Sequence, residues 1–268
     1  MTSPAPRPEH PAVSVVIPVK DDGIELARCL RALARQTRPP DEIIVVDNGS
    51  SDPSALIARE AGARVLHCDE RGIPAASATG YDAAGNEVIL RLDADCVPGE
   101  GWVQAMVDAF ARRPEVAAFT GGAHFIDGPR WLRAPLMMLY LGTYAFVGIP
   151  TLGHLPLFGS NLAFRREAWR SIRPDMHRHD PDVHDDFDLS FHLGERFSIR
   201  FVPEASMGVS MRPLAGMRGF ARRTRWGFRT VLVHWPHDFP PVRWTRLMLR
   251  RLPRRLPRVE ASITGHAT

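Results

Sequence analysis

Two aspartates at the end of an apolar run are the first candidates for chemistry in this sequence. Val88 to Leu92 is apolar apart from Arg91, and Asp93 and Asp95 follow it with one residue between them. Such a run predicts a buried strand, in which residues two apart point to the same side. Two carboxylates held this close repel each other unless a cation lies beside them. Their hard oxygens suit Mg2+ or Mn2+, which proteins often share with the phosphates of a substrate.

An Asp-x-Asp pair is also typical of a solvated turn after a strand, so the surrounding elements must decide between the two interpretations. Apolar runs predict strands at 13–19, 42–47, 63–67 and 88–93, and helical spacing after Asp22 predicts a helix between the first two. Strands that alternate with helices predict a parallel sheet with helices on its faces. Ligands of such sheets bind beyond the carboxyl ends of the strands, which is where Pro18, Asp47 and Asp93 fall.

The later part of the chain is less regular. We predict a helix over 101–113, a strand at 116–119, a strand at 161–165 that runs into a short helix through Trp169, a helix opening at Asp185 and a strand at 199–202. Acidic residues are favoured in the first turn of a helix, which supports the start at Asp185.

Length and composition indicate one large globular domain with appendages. The chain has 268 residues, 44% of them hydrophobic and 24% charged. Its three cysteines, Cys29, Cys68 and Cys96, argue against a disulfide framework and against a structural zinc site, and favour a reducing compartment. Residues 1–11 are rich in proline and have no apolar signal segment, so we expect a disordered leader.

Charge is unevenly distributed. The formal net charge is +4, yet the stretch from Arg212 to Arg258 holds 13 arginines and one acidic residue, Asp238. A basic tail on an acidic body indicates an anionic partner: phosphates, a membrane surface or nucleic acid. The alternative is a solvated arginine-rich face. We expect residues 12–211 to form the main domain and residues 212–268 a partly helical basic extension with a disordered end.

Five segments together resemble family 2 glycosyltransferases of the GT-A fold. In chain order they are VSVVIP at 13–18, VVDNGSSD at 45–52, LDAD at 92–95, GSNLAFRR at 159–166 and HDDFDL at 184–189. The resemblance spans about Val13 to Val209. It implies an α/β fold, the GT-A nucleotide-diphospho-sugar transferase type, with a Rossmann-like sheet and helices on both faces.

The resemblance also implies an inverting enzyme that moves a sugar from a nucleotide-diphosphate sugar to an acceptor hydroxyl. The backbone at Pro18 and Val19 and the carboxylate of Asp47 would bind the base of the nucleotide. Asp93 would lie near the ribose or the metal, and Asp95 would ligate Mn2+ or Mg2+.

The remaining roles fall on the later motifs. Asp186 would be the general base that deprotonates the acceptor, with Asp185 or Asp188 as the alternative. Asn161 is assigned to the donor site, and Asp185 to contacts with the acceptor or the phosphates.

The chain departs from the family pattern at three places. The family often has Asp-Asp where this chain has Asp47-Asn48, and Glu-Asp where it has Asp185-Asp186. An arginine that the family often carries before the metal strand is missing from the stretch at 76–80. We expect Arg71 or Arg91 to take its place at the diphosphate.

Arg225 and Trp226 resemble the Gln-x-x-Arg-Trp signature of processive polysaccharide synthases, with Arg222 in place of Gln. They are candidates for contacts with acceptor or phosphates, or else form a surface arginine beside a packed tryptophan. Those synthases carry membrane-spanning helices. The longest uncharged stretch here, 134–164, is cut by prolines and has an apolar core at 136–149, whereas a span needs roughly 20 residues. The sequence therefore predicts neither a membrane span nor processive synthesis.

Three histidines, His177, His179 and His184, lie in a predicted loop before the acidic pair. Some GT-A enzymes use a late histidine as a metal ligand, although a loop histidine is more often solvated.

Donor, acceptor and location follow from the family and the charge pattern. The resemblance favours a UDP-sugar, with GDP and dTDP open, and a glycan or lipid-linked acceptor of the cell envelope. Seven arginines interleave with apolar residues in the tail: Arg243, Arg246, Arg250, Arg251, Arg254, Arg255 and Arg258. With an amphipathic helix at 244–252 and the apolar segment 136–141, they predict a cytoplasmic protein in peripheral contact with an anionic membrane. The alternative is that 136–141 is core and the tail is disordered.

Two other functions compete. A sugar nucleotidyltransferase would carry a Gly-rich loop with Arg and Lys after the first strand, but Val19-Lys20-Asp21-Asp22 has none. A non-catalytic module could use the basic tail to bind nucleic acid. Carboxylates at the strand ends would repel a phosphate backbone, so we expect no nucleic-acid partner.

Overall fold

A mixed sheet of eight strands forms the centre of the protein, in a computed structural model that describes residues 10–212 and 217–251. The strands are β1 Val13–Val19, β2 Glu42–Asp47, β3 Arg64–His67, β4 Val88–Arg91, β5 Val97–Pro98, β6 Ala118–Phe125, β7 Leu162–Arg165 and β8 Ile199–Val209. Their order across the sheet is β3-β2-β1-β4-β7-β6-β8-β5. The first four strands are parallel, as the sequence predicts, and β7 then runs antiparallel to both β4 and β6.

Helices cover both faces of this sheet. They are α1 Gly23–Leu33, α2 Ser54–Glu60, α3 Ile73–Ala83, α4 Trp102–Arg112, α5 Arg130–Leu152, α6 Arg166–Ile172, α7 Asp185–Arg196, α8 Met217–Val233 and α9 Pro240–Arg251. Alternate residues of β1 face opposite sides, so Val15 and Ile17 pack with α1 and α4 while Val16 packs with α3 and α6.

The strand register brings the predicted binding residues to one edge. Val19 lies opposite Asp47, and Val16 lies opposite Arg91. Asp93 follows Arg91 by two residues and therefore leaves β4 near the level of Pro18. The three parallel strands thus end together, which positions their carboxyl-terminal residues as the sequence predicts.

Asn161, which the resemblance assigned to the donor site, lies in the core. It is completely buried, its Oδ1 accepts from Trp102 Nε1 at 2.8 Å, and its Nδ2 donates to the carbonyls of Gly122 and Ala205. The amide therefore joins α4, β6 and β8, and its hydrogen-bonding atoms are used by the protein. The assignment of this side chain to the donor is corrected to a structural one.

α5 corrects the expectation that prolines interrupt the apolar stretch. It runs for 23 residues with Pro135 and Pro150 inside it. Each proline removes one backbone donor, yet the helix continues through both. Of the described helices, α5 is long and apolar enough to cross a membrane by length and composition, and 17% of its most apolar window is buried in the protein.

The last two helices pack onto the main domain. Arg243 of α9 is completely buried, donates to the carbonyls of Leu152 and Phe191, and pairs with Asp238 at 3.0 Å. Arg246 and Arg250 pair with Glu195. These three arginines hold the extension in place, which corrects their assignment to a membrane surface. Residues 1–9 of the predicted leader and residues 252–268 of the predicted tail, with Arg254, Arg255 and Arg258, lie outside the described residues.

Candidate functional site

Asp47 ends β2 at the floor of the candidate donor site. Its side chain is 8% exposed, its Oδ1 accepts from the Ser50 amide at 3.0 Å, and its Oδ2 lies 3.4 Å from His67 Nδ1. The carboxylate is therefore held at the strand end by the turn that follows it.

The neighbouring Asn48 explains one departure from the family pattern. Its Nδ2 donates to the carbonyls of Cys68 and Glu70, and its Oδ1 accepts from the Gly72 amide. An aspartate there could not donate to the two carbonyls. Asn48 thus ties the loop at 68–72 to β2, and this loop carries the exposed Arg71.

Asp93 and Asp95 meet in the turn after β4. Their carboxylates and the Cys96 thiol have ligand atoms within 4.8 Å of one another. Ser160 Oγ donates to Asp93 at 2.6 Å, and burial together with the Asp93 charge raises the pKa of Asp95. Burial also raises the pKa of the Cys96 thiol well above its usual range. Two converging carboxylates beside a protonated thiol fit a hard divalent cation such as Mn2+ or Mg2+.

Arg212, three residues after β8, reaches Asp95 of this pair. Its guanidinium donates to both oxygens of Asp22, at 2.9 and 2.7 Å, and to Asp95 at 3.0 Å. It supplies positive charge at the place where phosphates and a metal would meet. Arg212 belongs to none of the quoted motifs, and only the fold brings it to Asp95, from which it is 117 residues away in the chain.

Arg91 joins the two acidic motifs. Its side chain is 3% exposed and lies 3.0 Å from Asp93 and 3.1 Å from Asp185. Burial opposes its charge, but Asp185 and Asp93 outweigh that effect and raise its pKa, so it remains protonated. A role for Arg91 at the diphosphate stays a prediction. In this structure its guanidinium pairs with Asp93 and Asp185.

Asp186 lies beside this ion-pair cluster at the first turn of α7. Its Oδ2 accepts from the Gly159 amide at 2.7 Å and from Tyr144 Oη at 3.4 Å, and its Oδ1 lies 3.0 Å from His184 Nδ1. Burial disfavours its charge, but the charge and hydrogen bond of His184, with Arg91 and the Gly159 amide, lower its pKa to about 2. Asp186 is therefore ionised at neutral pH and can accept a proton.

The alternative carboxylates are engaged elsewhere. Asp185 Oδ2 accepts from Ser77 Oγ at 2.9 Å and from Arg91. Asp188 is surrounded by three histidines, of which His177 is at 2.8 Å. Burial opposes the Asp188 charge, but these imidazoles lower its pKa far below the usual range. Asp186 therefore differs from the other two in its contacts with the Gly159 amide and the Tyr144 hydroxyl, rather than with a buried arginine or a histidine cluster.

α8 packs the Arg-Trp segment against the same helix start. Trp226 Nε1 donates to Asp182 at 3.0 Å, and its ring lies edge-on to His184. Thr230 Oγ1 accepts from the His184 amide at 2.8 Å. Arg225 is 78% exposed and lies 4.0 Å from Asp182. Trp226 therefore borders the candidate base through His184, and Arg225 extends from that rim.

The three loop histidines take separate positions. His184 contacts Asp186, His177 contacts Asp188, and His179 lies 2.7 Å from Glu70. Each has a carboxylate partner other than Asp93 and Asp95. Ser160 and Tyr144, which contact Asp93 and Asp186, were missed as functional residues; Ser160 stood inside the quoted segment 159–166, whereas Tyr144 had no local signal.

Comparisons with known proteins find a matching family, related sequences and a similar fold. The family model Glycosyl transferase family 2 matches residues 14–173. Glycosyltransferase AglE of Haloferax volcanii is 33% identical over 109 residues, covering 38% of this chain and 36% of that protein. The undecaprenyl-phosphate 4-deoxy-4-formamido-L-arabinose transferase of Pseudomonas fluorescens is 37% identical over 100 residues, covering 34% of this chain and 29% of that protein. The matches thus span about a third of the length of these curated relatives.

A solved structure resembles nearly the whole chain. The mannosyltransferase PcManGT from Pyrobaculum calidifontis, in complex with GDP-Man and Mn2+, matches with a TM-score of 0.64 and 20% identity, over 92% of this chain and 71% of that one. At this identity the likeness concerns the fold, and it confirms the predicted GT-A architecture.

A substitution at Gly159 can test how tightly the site is packed. A Cβ there would lie 2.3 Å from Arg91 Nη1 and 2.8 Å from Asp186 Oδ2. Since two paired charges would have to move, we expect Gly159→Ala to lower the free energy of unfolding by about 1–3 kcal/mol in urea denaturation. The control is Gly142→Ala in α5, where the new methyl has nothing within 4 Å and helix propensity predicts up to about 1 kcal/mol of stabilisation. Equal effects of the two changes would contradict the close packing.

Proposed function

This chain belongs to glycosyl transferase family 2, and we propose that it is an inverting, metal-dependent glycosyltransferase. It transfers a sugar from a nucleotide-diphosphate sugar to an acceptor hydroxyl in the synthesis of a cell-envelope glycan, glycolipid or polysaccharide. The observation that carries the proposal is the Arg91 bridge. This buried arginine links Asp93, at the candidate donor end, to Asp185, the neighbour of the candidate base.

The donor occupies the edge formed by the ends of β1, β2 and β4. The backbone of Pro18 and Val19 and the carboxylate of Asp47 bind the base, and Arg71 faces the diphosphate from the loop that Asn48 holds. PcManGT, a relative in fold, binds GDP-Man with Mn2+, which supports a nucleotide-sugar donor for this chain. The family favours UDP, with GDP and dTDP as the other candidates for a donor screen.

Asp93 and Asp95 hold the divalent cation, with Ser160 orienting the first of them. When bound, the metal neutralises charge that develops on the departing diphosphate. Arg212 adds a fixed positive charge beside Asp95. The chain therefore supplies both a cation site and an arginine where the leaving group becomes most negative.

Asp186 accepts the proton of the acceptor hydroxyl. As that proton moves to the carboxylate, the acceptor oxygen bonds to the anomeric carbon, and the bond from that carbon to the diphosphate oxygen breaks. Attack from the face opposite the leaving group inverts the configuration. Gly159 and Tyr144 hold Asp186 in place, while the imidazole of His184 stabilises its charge before transfer.

The acceptor side is bordered by α5, which supports a lipid-linked acceptor at a membrane surface. Tyr144 of α5 contacts Asp186, and an apolar stripe runs along the helix at Trp131, Met138, Phe146 and Ile149, which are 44–81% exposed. Spacings of 7, 8 and 3 residues put these four on one helix face. The transferase of Pseudomonas fluorescens is named for undecaprenyl phosphate, which is consistent with such an acceptor.

Positive charge for an anionic membrane comes from α8 in the described part of the chain. Arg222, Arg223 and Arg225 are exposed there, and Val231 of the same helix packs in a cluster with Tyr144 of α5. The basic and apolar surfaces are therefore carried by helices in contact. This proposal keeps the peripheral membrane contact that the sequence predicts, but moves its charge from α9 to α8.

The two rival functions have less support. A nucleotidyltransferase remains without a Gly-rich basic loop after β1, where Asp21 instead accepts from Ser51. A binding module that acts through the basic tail loses three of its arginines to buried or paired positions in α9.

Metal dependence is tested at Asp95. We expect Asp95→Asn to lower turnover about 10²- to 10³-fold because one ligand of the charge-neutralising cation is lost, and to weaken nucleotide binding by calorimetry. The control is Asp69→Asn, a carboxylate of 95% exposure in the loop after β3. Full activity of the wild type in excess EDTA would remove the metal from the proposal.

The base is tested at Asp186. We expect Asp186→Asn to lower turnover about 10²- to 10⁴-fold while donor affinity stays within twofold, because the carboxylate acts on the acceptor. Single-turnover assays and donor titrations measure the two quantities, with Asp185→Asn and Asp188→Asn alongside. Wild-type turnover in Asp186→Asn together with an inactive Asp185→Asn or Asp188→Asn would assign the base to the other residue.

Membrane contact is tested by co-sedimentation with vesicles. We expect strong binding to anionic vesicles at low salt, weaker binding at high salt, and about tenfold weaker binding for Phe146→Glu, since burying such a side chain contributes about 1.5–3 kcal/mol. Arg222→Glu should weaken binding at low salt. Leu56→Glu, which changes an apolar side chain of 54% exposure on α2, is the control. Equal binding to neutral and anionic vesicles, or none to either, would contradict this proposal and favour an acceptor free in solution.

A further inference from the structure

A second cluster of possible ligands lies about one turn further along α7 than the Arg91 bridge. His177, Asp188, His192 and His234 each direct one nitrogen or oxygen to a common point, and these atoms lie within 4.8 Å of one another. Asp188 and His234 side chains are 1% and 2% exposed, His192 is 17% and His177 is 33%. The cluster is therefore mostly enclosed by protein, with one edge open at His177.

The separations between the ligand atoms match a tetrahedral metal site. Asp188 Oδ1 lies 2.8 Å from His177 Nδ1, 3.4 Å from His192 Nε2 and 3.2 Å from His234 Nε2, and the last two nitrogens are 3.4 Å apart. Zn2+ binds imidazole nitrogen and carboxylate oxygen at about 2.0–2.2 Å in tetrahedral geometry, which corresponds to ligand–ligand separations of roughly 3.3–3.5 Å. These four separations are all within about 0.5 Å of that range, and the remaining two are at most 4.8 Å.

Hydrogen bonding alone accounts poorly for this arrangement. Three ring nitrogens approach the single oxygen Oδ1, which has two lone pairs. His234 Nδ1 lies 2.7 Å from the Thr230 carbonyl, so that nitrogen carries a proton, and in the neutral ring Nε2 then presents a lone pair to the Asp188 carboxylate. Unless the ring carries a second proton, two acceptors would therefore face each other in a buried place. A cation between them turns both lone pairs into ligands.

The surrounding contacts have the form of a metal site's outer shell. Ligating histidines usually donate their other ring N–H to a carbonyl or carboxylate, as His234 does to Thr230. The second oxygen of Asp188 accepts from the His177 amide at 3.0 Å, which leaves Oδ1 for the ion. The ring of Phe191 stacks on His234 at 4.0 Å between centroids and fixes its plane.

We propose that His177, Asp188, His192 and His234 bind a zinc ion that fastens the C-terminal helices to the domain bearing the candidate base. The cysteine count argues against a zinc site built on thiolates, whereas this site uses three imidazoles and one carboxylate. His177 lies in the loop that leads into α7, Asp188 and His192 lie about one turn apart on α7, and His234 directly follows α8. The ion thus joins three segments that are up to 57 residues apart, and it is separate from the Asp93–Asp95 cation.

The test uses the full-length protein, stripped with a chelator and then given Zn2+ or Co2+. We expect one zinc per chain by elemental analysis and, with Co2+, the intense visible bands of a tetrahedral ion. His177→Ala and His192→Ala should each weaken zinc binding at least 100-fold, and added zinc should raise the Tm of the wild type by several degrees but not that of these variants. His177→Ala alters a partly exposed loop residue, so circular dichroism should show a folded protein.

His179→Ala is the matched control, because this histidine lies in the same loop and pairs with the exposed Glu70. It should bind zinc as the wild type does, and so should Asp95→Asn, which separates this ion from the candidate catalytic metal. The proposal is overturned if the wild type takes up no zinc after reconstitution, if Co2+ gives only the weak bands of an octahedral ion, or if His179→Ala loses as much zinc as His177→Ala.

Discussion

One buried positive charge organises the acidic end of this protein. Arg91 is almost completely enclosed, and a buried guanidinium is stable only where carboxylates surround it. It therefore holds Asp93, from the turn after β4, and Asp185, from the start of α7, in contact with the same group. The space beside it is so limited that position 159 has no room for a Cβ. Strand, loop and helix are constrained to one arrangement by this single side chain.

The start of α7 consequently has two anchors. In its first turn, Asp185 and Asp186 are held by Arg91, Gly159 and His184. Asp188, about one turn further on, contacts three imidazoles, one of which follows α8. The position of Asp186 therefore depends on how the C-terminal helices pack against α7. Arg243, buried against Phe191 and Leu152, reinforces the same contact.

The arginines of the C-terminal extension have two different environments. Arginines of α9 pair with Asp238 and Glu195 and stabilise the packing of the extension, whereas exposed arginines of α8 are available to anionic groups. α5 carries the exposed apolar stripe on one face and Tyr144, which contacts Asp186, on another. A surface of this composition beside the candidate base relates the location of the enzyme to the chemical nature of its acceptor.

Local pattern was enough to predict the parallel strands β1 to β4, the acidic start of α7, and the meeting of Pro18, Asp47 and Asp93 at one edge. These follow from the alternation of strands and helices and from the rule that parallel strands end on the same side, so they need no knowledge of distant contacts.

The roles of Asn161, Arg243 and the histidines needed the tertiary structure. An amide looks the same in a sequence whether it meets a ligand or two buried carbonyls, as Asn161 does with Gly122 and Ala205. Likewise, the basic character of Arg243 was readable, but its burial depended on Asp238 and the Phe191 carbonyl coming to it through the packing of α9 on α7. Contacts between side chains far apart in the sequence depend on how the elements pack. The local pattern of apolar and polar residues does not show which side chains will be buried together.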